Sequence, residues 1–359
     1  MNFQEISHLR LHNQQVTASV FSTPKDVVGW MGAMQAQDFT MSRWAVGVRL
    51  PGSAESEIEE AFNKGDILRT HLMRPTWHLV SSDDISWMIE LTAPSVKSSI
   101  RSRRTELELT DEFLRFGFSI LEKAMEGGRH ATRDELVRLF TDAGISLNDN
   151  RAAHILMHAE LEGLICSGMI KNNKQTYALL DYRVKHKKKL HREEALALLT
   201  RKYFQSHSPA TVRDFCWWSG LGVRDVRAGM EAIRKDLLSV TVGDETYWML
   251  DSSSAAAPSD KGIFFLPAYD EFIISYTDRT ASLLLEHHKK AVSSNGIFKP
   301  IIVADGQVTG IWKRTVKKDK ILLNTDFFVE PGRSVLKRLK TAVIPFGTFM
   351  NKIIDIDMA

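Results

Sequence analysis

An α+β fold is what the sequence predicts, on three observations. Apolar residues at helical spacing recur in groups of helices. Each group is followed by two short alternating runs joined by a polar turn. The carboxy-terminal part then changes to short β-rich runs.

The first expected unit spans residues 1–110. Thr23-Pro24 starts a helix by side-chain capping and a preset φ, with Val27, Val28, Met31 and Met34 along one face. Ile58, Ala61 and Phe62 mark another helix before Gly65, and Ile67 to Met73 pairs with Thr76 to Val80 across Arg74-Pro75. The second unit, 111–190, is clearer. Leu114, Phe118, Leu121 and Met125 form an amphipathic face that stops at Gly127-Gly128. Thr132 and Glu135 make a capping box for a helix ending at Gly144. A third helix, from about Asn148 to Leu161, precedes a hairpin of Leu164 to Ser167 and Thr176 to Leu180 with a polar tip at Lys171 to Lys174.

The same order returns in 191–255. Ala195, Leu198, Leu199 and Tyr203 give one face, and Pro209 to Trp218 a second helix broken at Gly220 to Gly222. Val226, Met230 and Ile233 give the third, before a hairpin of Leu238 to Val242 and Thr246 to Leu250. Three helices and then a hairpin is the order of a winged helix-turn-helix, so the prediction is tandem winged-helix units. Residues 256–359 read as a small, barrel-like β domain: Ile263 to Leu266, Ile297 to Ala304, Val308 to Lys313 and Lys320 to Leu323, closed by a helix over Pro331 to Ala342.

Composition narrows the function classes. The chain has 359 residues, 43% hydrophobic and 25% charged, enough apolar material for several cores and too much for a disordered chain. No apolar run approaches the ~18 residues of a membrane span, and Met1 to Val16 lacks a basic-then-apolar leader pattern, so a cytoplasmic protein is expected. Cys166 and Cys216 are too few and too far apart for a disulfide framework or zinc knuckle. Net charge is only +3, but basic residues cluster at Arg101 to Arg104, Arg183 to Arg192 and Lys313 to Lys320, which keeps a phosphate-backbone partner open.

Candidate chemistry is sparse. His154, His158 and Glu162 share one helix face at i, i+4, i+8, but no second ligand-bearing segment accompanies them, so an ordinary polar face and no metal are expected. Asp270-Glu271 are adjacent and would point oppositely on a strand, which favours a structural pairing, for example with Arg279. Gln35-Ala36-Gln37 falls at the end of the first strong helix, where both amides face one cleft only if the helix ends near Ala36. The segment Arg69 to Val80 is dense in basic and aromatic residues, as a groove-entering hairpin would be.

These two segments carry a resemblance. The Gln-Ala-Gln triplet and the hairpin pattern R-x-x-x-M-R-x-T-x-H-L-V, together with LPAYDEFIISYTDR from Leu266 and DGQVTGIWKR from Asp305, resemble the bacterial winged-helix DNA glycosylase family typified by AlkZ. The blocks occur in the family's order and cover nearly the whole chain. The resemblance implies a glycosylase that hydrolyses the N-glycosidic bond of cationic N7-alkylated purines and unhooks crosslinks, with Gln35 and Gln37 catalytic and no cofactor. A family branch resembling YcaQ has Asp at the second position; here Gln37 holds it and Asp38 follows, which assigns the Gln-x-Gln branch. Pro75 stands where the family often has Gly and alters the hairpin's shape. The partner implied is duplex DNA bound by a monomer, through Arg69, His71, Arg74 and His78 of the hairpin and through Arg101, Arg103, Arg104, Lys187 and Lys188. A non-catalytic winged-helix regulator or architectural protein is the competing reading; such proteins are more often small dimers with one reader domain each.

Overall fold

The computed structural model describes residues 1–251 and 262–358; the expected boundary near residue 256 lies outside them. One pattern, helix, short strand, two helices, two strands, occurs twice in full. First come Pro24–Met31, Ala33–Gln35, Phe39–Gly47, Glu55–Lys64, Ile67–His71 and Trp77–Ser81, with the last strand central in its sheet. Then come Asp111–Met125, Ala131–Thr132, Arg133–Asp142, Arg151–Leu161, Ile165–Ser167 and Thr176–Leu179, again with the last strand central. A third set, Arg192–His207, Val212–Ser219, Val223–Ala232, Leu237–Val242 and Glu245–Leu250, has a single bridge between Ala210 and Trp248 where the others have a short strand.

Local chemistry sets these boundaries. Thr132 accepts from the backbone N–H of Glu135 while the Glu135 carboxylate accepts from that of Thr132, the reciprocal cap expected from sequence. Thr132→Ala is expected to cost ~1 kcal/mol of stability, read as a lower melting temperature, because the Glu135 N–H of the first turn loses its fixed acceptor. Helix Pro24–Met31 stops at Gly32, whose φ of 78° favours glycine, and the chain enters a strand there.

The carboxy-terminal sheet runs Ile353–Met358, Lys320–Phe327, Gln307–Val316, Ile301–Ala304, Ile263–Leu266. Only the first pair is parallel. The β domain expected to be barrel-like is a curled sheet whose two edge strands do not pair with each other among the described residues. Its core continues into the first unit, where Trp44 packs edge-on to Phe346 and donates Nε1–H to Phe265 O at 2.7 Å. The Phe349 ring lies against Gly47, where a Cβ would come within 2.4 Å of it. The first unit and the carboxy-terminal sheet are thus packed around one core. Helix Phe3–Asn13, not anticipated from sequence, presents Ser7, Arg10 and Asn13 inward and bonds Pro209 O and Ser208 O. Among the described residues, no helix is long and apolar enough to cross a membrane.

Candidate active site

Gln35 ends a strand and Gln37 lies in the bend that follows it, rather than at the end of the preceding helix. Ala33–Gln35 pairs antiparallel with Trp77–Ser81, placing Gln35 opposite His78, and Ala36 N–H extends the ladder to Trp77 O at 2.8 Å. Asp38 then caps helix Phe39–Gly47 by accepting from Met41 N–H at 3.0 Å. The turn between strand and helix presents Gln37 to solvent, whereas Gln35 is buried. The two are coupled: Gln35 Oε1 accepts from Gln37 N–H at 2.5 Å. Gln37 therefore presents its amide to solvent, and Gln35 Oε1 holds the backbone that carries it.

A second anchor comes from far along the chain. Gln35 N–H donates to Glu271 Oε1 at 2.6 Å, and Glu271 is itself fully enclosed. Trp218 Nε1–H and the Ser275 hydroxyl also donate to it, and His207 Nε2 lies 3.4 Å away. Burial alone would raise the Glu271 pKa; the bond and charge of His207, with the bonds from Ser275 and Gln35, outweigh it and hold the group at about 2. Three of these donors act whatever the protonation of His207, so the ionised carboxylate is the form they select. Neighbouring Asp270 does pair structurally, but with Arg49, not Arg279: two bonds of 2.8 and 2.9 Å join fully buried groups. Arg279 donates instead to Ile273 O. The pair heads helix Glu271–Ile274 rather than sitting on a strand, so both carboxylates turn inward to different partners.

The hairpin forms as expected, with His71 opposite Trp77, but its residues diverge in exposure. Arg69 is half-buried; it donates Nε–H to Ala36 O at 2.9 Å and Nη1–H to Gln175 Oε1 at 2.7 Å, and its guanidinium sits 4.3 Å from the Trp77 ring centroid. Burial lowers it to about 10, still charged at neutral pH. Arg74 lies half-buried over Trp217. His71 and His78 are buried, which takes both rings off the surface where DNA contact was expected. His71 bonds Glu160, and burial with the Arg74 charge lowers His78 to about 3, a neutral ring. Arg101 and Lys188 are exposed without an ion-pair partner among the described residues, whereas Arg103, Arg104 and Lys187 are engaged by Glu106, Asp111 and Asp181. Glu162 pairs with Lys97 at 2.7 Å, and burial lowers the pKa of His154 and takes His158 to about 4.

Sequence reasoning missed the anchoring role of Glu271, since its target is a backbone group 236 residues away. It also missed Glu160. A signal existed there: one acid follows Ile155, Leu156 and Ala159, all buried, on the same helix.

Comparison with known proteins agrees with the blocks that carry the resemblance. The model of the family described as DNA glycosylase AlkZ-like matches residues 28–349. An interstrand DNA cross-link repair glycosylase of Streptomyces sahachiroi is 25% identical over 335 residues, 87% of this chain and 88% of that one. The solved structure of the Streptomyces sahachiroi DNA glycosylase AlkZ superimposes with a TM-score of 0.83 at 20% identity, covering 99% of this chain and 100% of the other. A shared fold at that identity says nothing further by itself, but a family model spanning both the glutamine motif and the carboxy-terminal sheet does. This chain belongs to the AlkZ-like DNA glycosylase family.

Proposed function

We propose that this protein is a monomeric, monofunctional DNA glycosylase that hydrolyses the N-glycosidic bond of cationic N7-alkylated purines in duplex DNA and unhooks interstrand crosslinks. The observation that carries the reading is the exposed Gln37 amide on a backbone held from both sides, by Gln35 Oε1 and, through Gln35, by Glu271. An N7-alkylated purine already bears positive charge and leaves with its bonding electrons without a proton from an acid. The remaining work is to hold water at C1′ and to favour positive charge on the sugar. An amide oxygen accepts a hydrogen bond from water and offers partial negative charge, with no pKa to tune. Neither glutamine carries an amine able to form an imine with C1′, which supports simple hydrolysis over strand-cleaving chemistry. The crosslink part rests on the likeness to the Streptomyces interstrand DNA cross-link repair glycosylase.

We read the three repeated helical units as winged helices that grip the duplex backbone, with Arg101 and Lys188 among the contacts. Their exposed, unpaired charges support that role. The logarithm of affinity is then expected to fall linearly with the logarithm of salt, and Arg101→Glu or Lys188→Glu to lower the slope by ~1 or more. A slope unchanged in both variants removes them from the interface. The test of the activity is duplex DNA containing N7-methylguanine, incubated with the protein and then alkali. Strand breaks at the modified site are expected; their absence for every cationic alkylpurine leaves the non-catalytic DNA-binding reading in its place.

A further inference from the structure

Beside the glutamine strand lies a cavity that the reaction described above does not use. It measures about 320 Å³ and separates the first unit's hairpin from helix Arg151–Leu161 and strand Thr176–Leu179 of the second. Its floor is a buried acid: Glu160 Oε2 bonds His71 Nδ1, while Oε1 has no hydrogen-bond partner among the described residues. Trp77 and Tyr177 supply aromatic walls. Arg133 and Gln175, both exposed, form the rim. Arg69 joins this rim to the motif, since it bonds Gln175 and the carbonyl of Ala36, between the two glutamines.

A carboxylate at the bottom, aromatic sides and a guanidinium at the mouth follow the charge order of one particular ligand class. We propose that this pocket receives the cationic base of the target nucleotide, its positive ring toward Glu160 and its phosphate at Arg133. The proposal rests on the glycosylase reading and adds to it the element that selects the lesion. A cavity of this size holds one nucleobase. A carboxylate oxygen facing a largely enclosed pocket attracts a purine cation more strongly than its neutral parent, because the local dielectric is below that of water. Arg69 offsets part of that preference, since it and Glu160 attract each other, but its guanidinium is held at the mouth by Ala36 O, Gln175 and the Trp77 ring rather than at the carboxylate. Discrimination between damaged and intact guanine then comes from charge rather than from shape.

The experiment is a calorimetric titration of the full chain with 7-methylguanosine 5′-monophosphate and, separately, guanosine 5′-monophosphate. The cationic nucleotide is expected to bind at least ~10-fold more tightly. Ala153→Phe fills the pocket from helix Arg151–Leu161 while leaving Glu160 and His71 unsubstituted, and is expected to abolish that binding. Glu160→Gln is expected to erase the preference between the two nucleotides. Equal affinity of wild type for both, or unchanged binding in Ala153→Phe, overturns the pocket. Release of N7-methylguanine from duplex DNA, measured alongside, separates the two claims. Release at the wild-type rate by Ala153→Phe leaves the glycosylase reading standing and the pocket refuted. Failure of wild type itself refutes the reading, and the titration still decides the pocket.

Discussion

Replacing Gln37 with alanine is expected to slow single-turnover base release by about 100- to 1,000-fold, with DNA affinity and melting temperature near wild type. The size follows from removing one preorganised electrostatic contact at a developing charge, ~3 kcal/mol by analogy with oxyanion-hole donors. The selectivity for rate over binding follows from a group that acts on the transition state and not on the bound duplex. Stability is spared because the side chain is exposed and the backbone N–H that bonds Gln35 Oε1 survives the substitution. Gln35→Ala is expected to behave differently: the rate falls, but so does stability by ~1 kcal/mol, since a buried acceptor is lost and Gln37 N–H is released. Gln37→Asp is expected to retain part of the activity, because a carboxylate accepts the same proton and adds charge opposite the sugar cation. The measurement is single-turnover release of N7-methylguanine, with DNA affinity and thermal melting on the same preparations. Wild-type rates in Gln37→Ala would take the residue out of the mechanism.

Much of the scaffold was legible because its signals are local. The Thr132–Glu135 cap, the Gly127-Gly128 stop and the hairpin across Arg74-Pro75 each depend on residues within a few positions, and each stands where periodicity and turn chemistry put it. Long-range partners were not legible. Strand Ile353–Met358 pairs in parallel with Lys320–Phe327, and nothing in its alternation of Ile and Asp names that partner. Helix Phe3–Asn13 escaped because its buried face is partly polar, Ser7, Arg10 and Asn13, so the apolar spacing that marks a helix is missing. The glutamine motif itself was visible, but its setting was not. Gly32 converts what reads as helix continuing through Met34 into a strand, and the bend after Gln35 then carries Gln37 out to solvent while Gln35 stays buried.

The larger structural effect is expected from Glu271. Glu271→Gln keeps size and shape but replaces the ionised carboxylate by an amide whose NH2 faces a donor in either orientation, Gln35 N–H on the Oε1 side or Trp218 and Ser275 on the Oε2 side. Removing one partner from a buried, charged network of this kind costs about 3–5 kcal/mol, read as a large fall in melting temperature. The pH dependence has a definite sign. The folded-state pKa of about 2 lies below the ordinary 4.5, so the stabilisation is fully present above 4.5 and is lost as pH falls from there through about 2. A shift of that size corresponds to ~3 kcal/mol, and in Glu271→Gln this part of the acid destabilisation should vanish. The functional consequence separates a latch from a mere brace. If Glu271 serves only stability, the variant assayed well below its melting temperature should release base at the wild-type rate. If it holds the glutamine strand in register, the single-turnover rate should fall while DNA affinity stays unchanged, because the first segment to loosen is the one whose N–H it binds. Trp218→Phe offers the graded case: one donor to the same carboxylate is removed while an aromatic ring is kept among Tyr203, His207 and Phe215, and a smaller loss of rate in the same direction is expected.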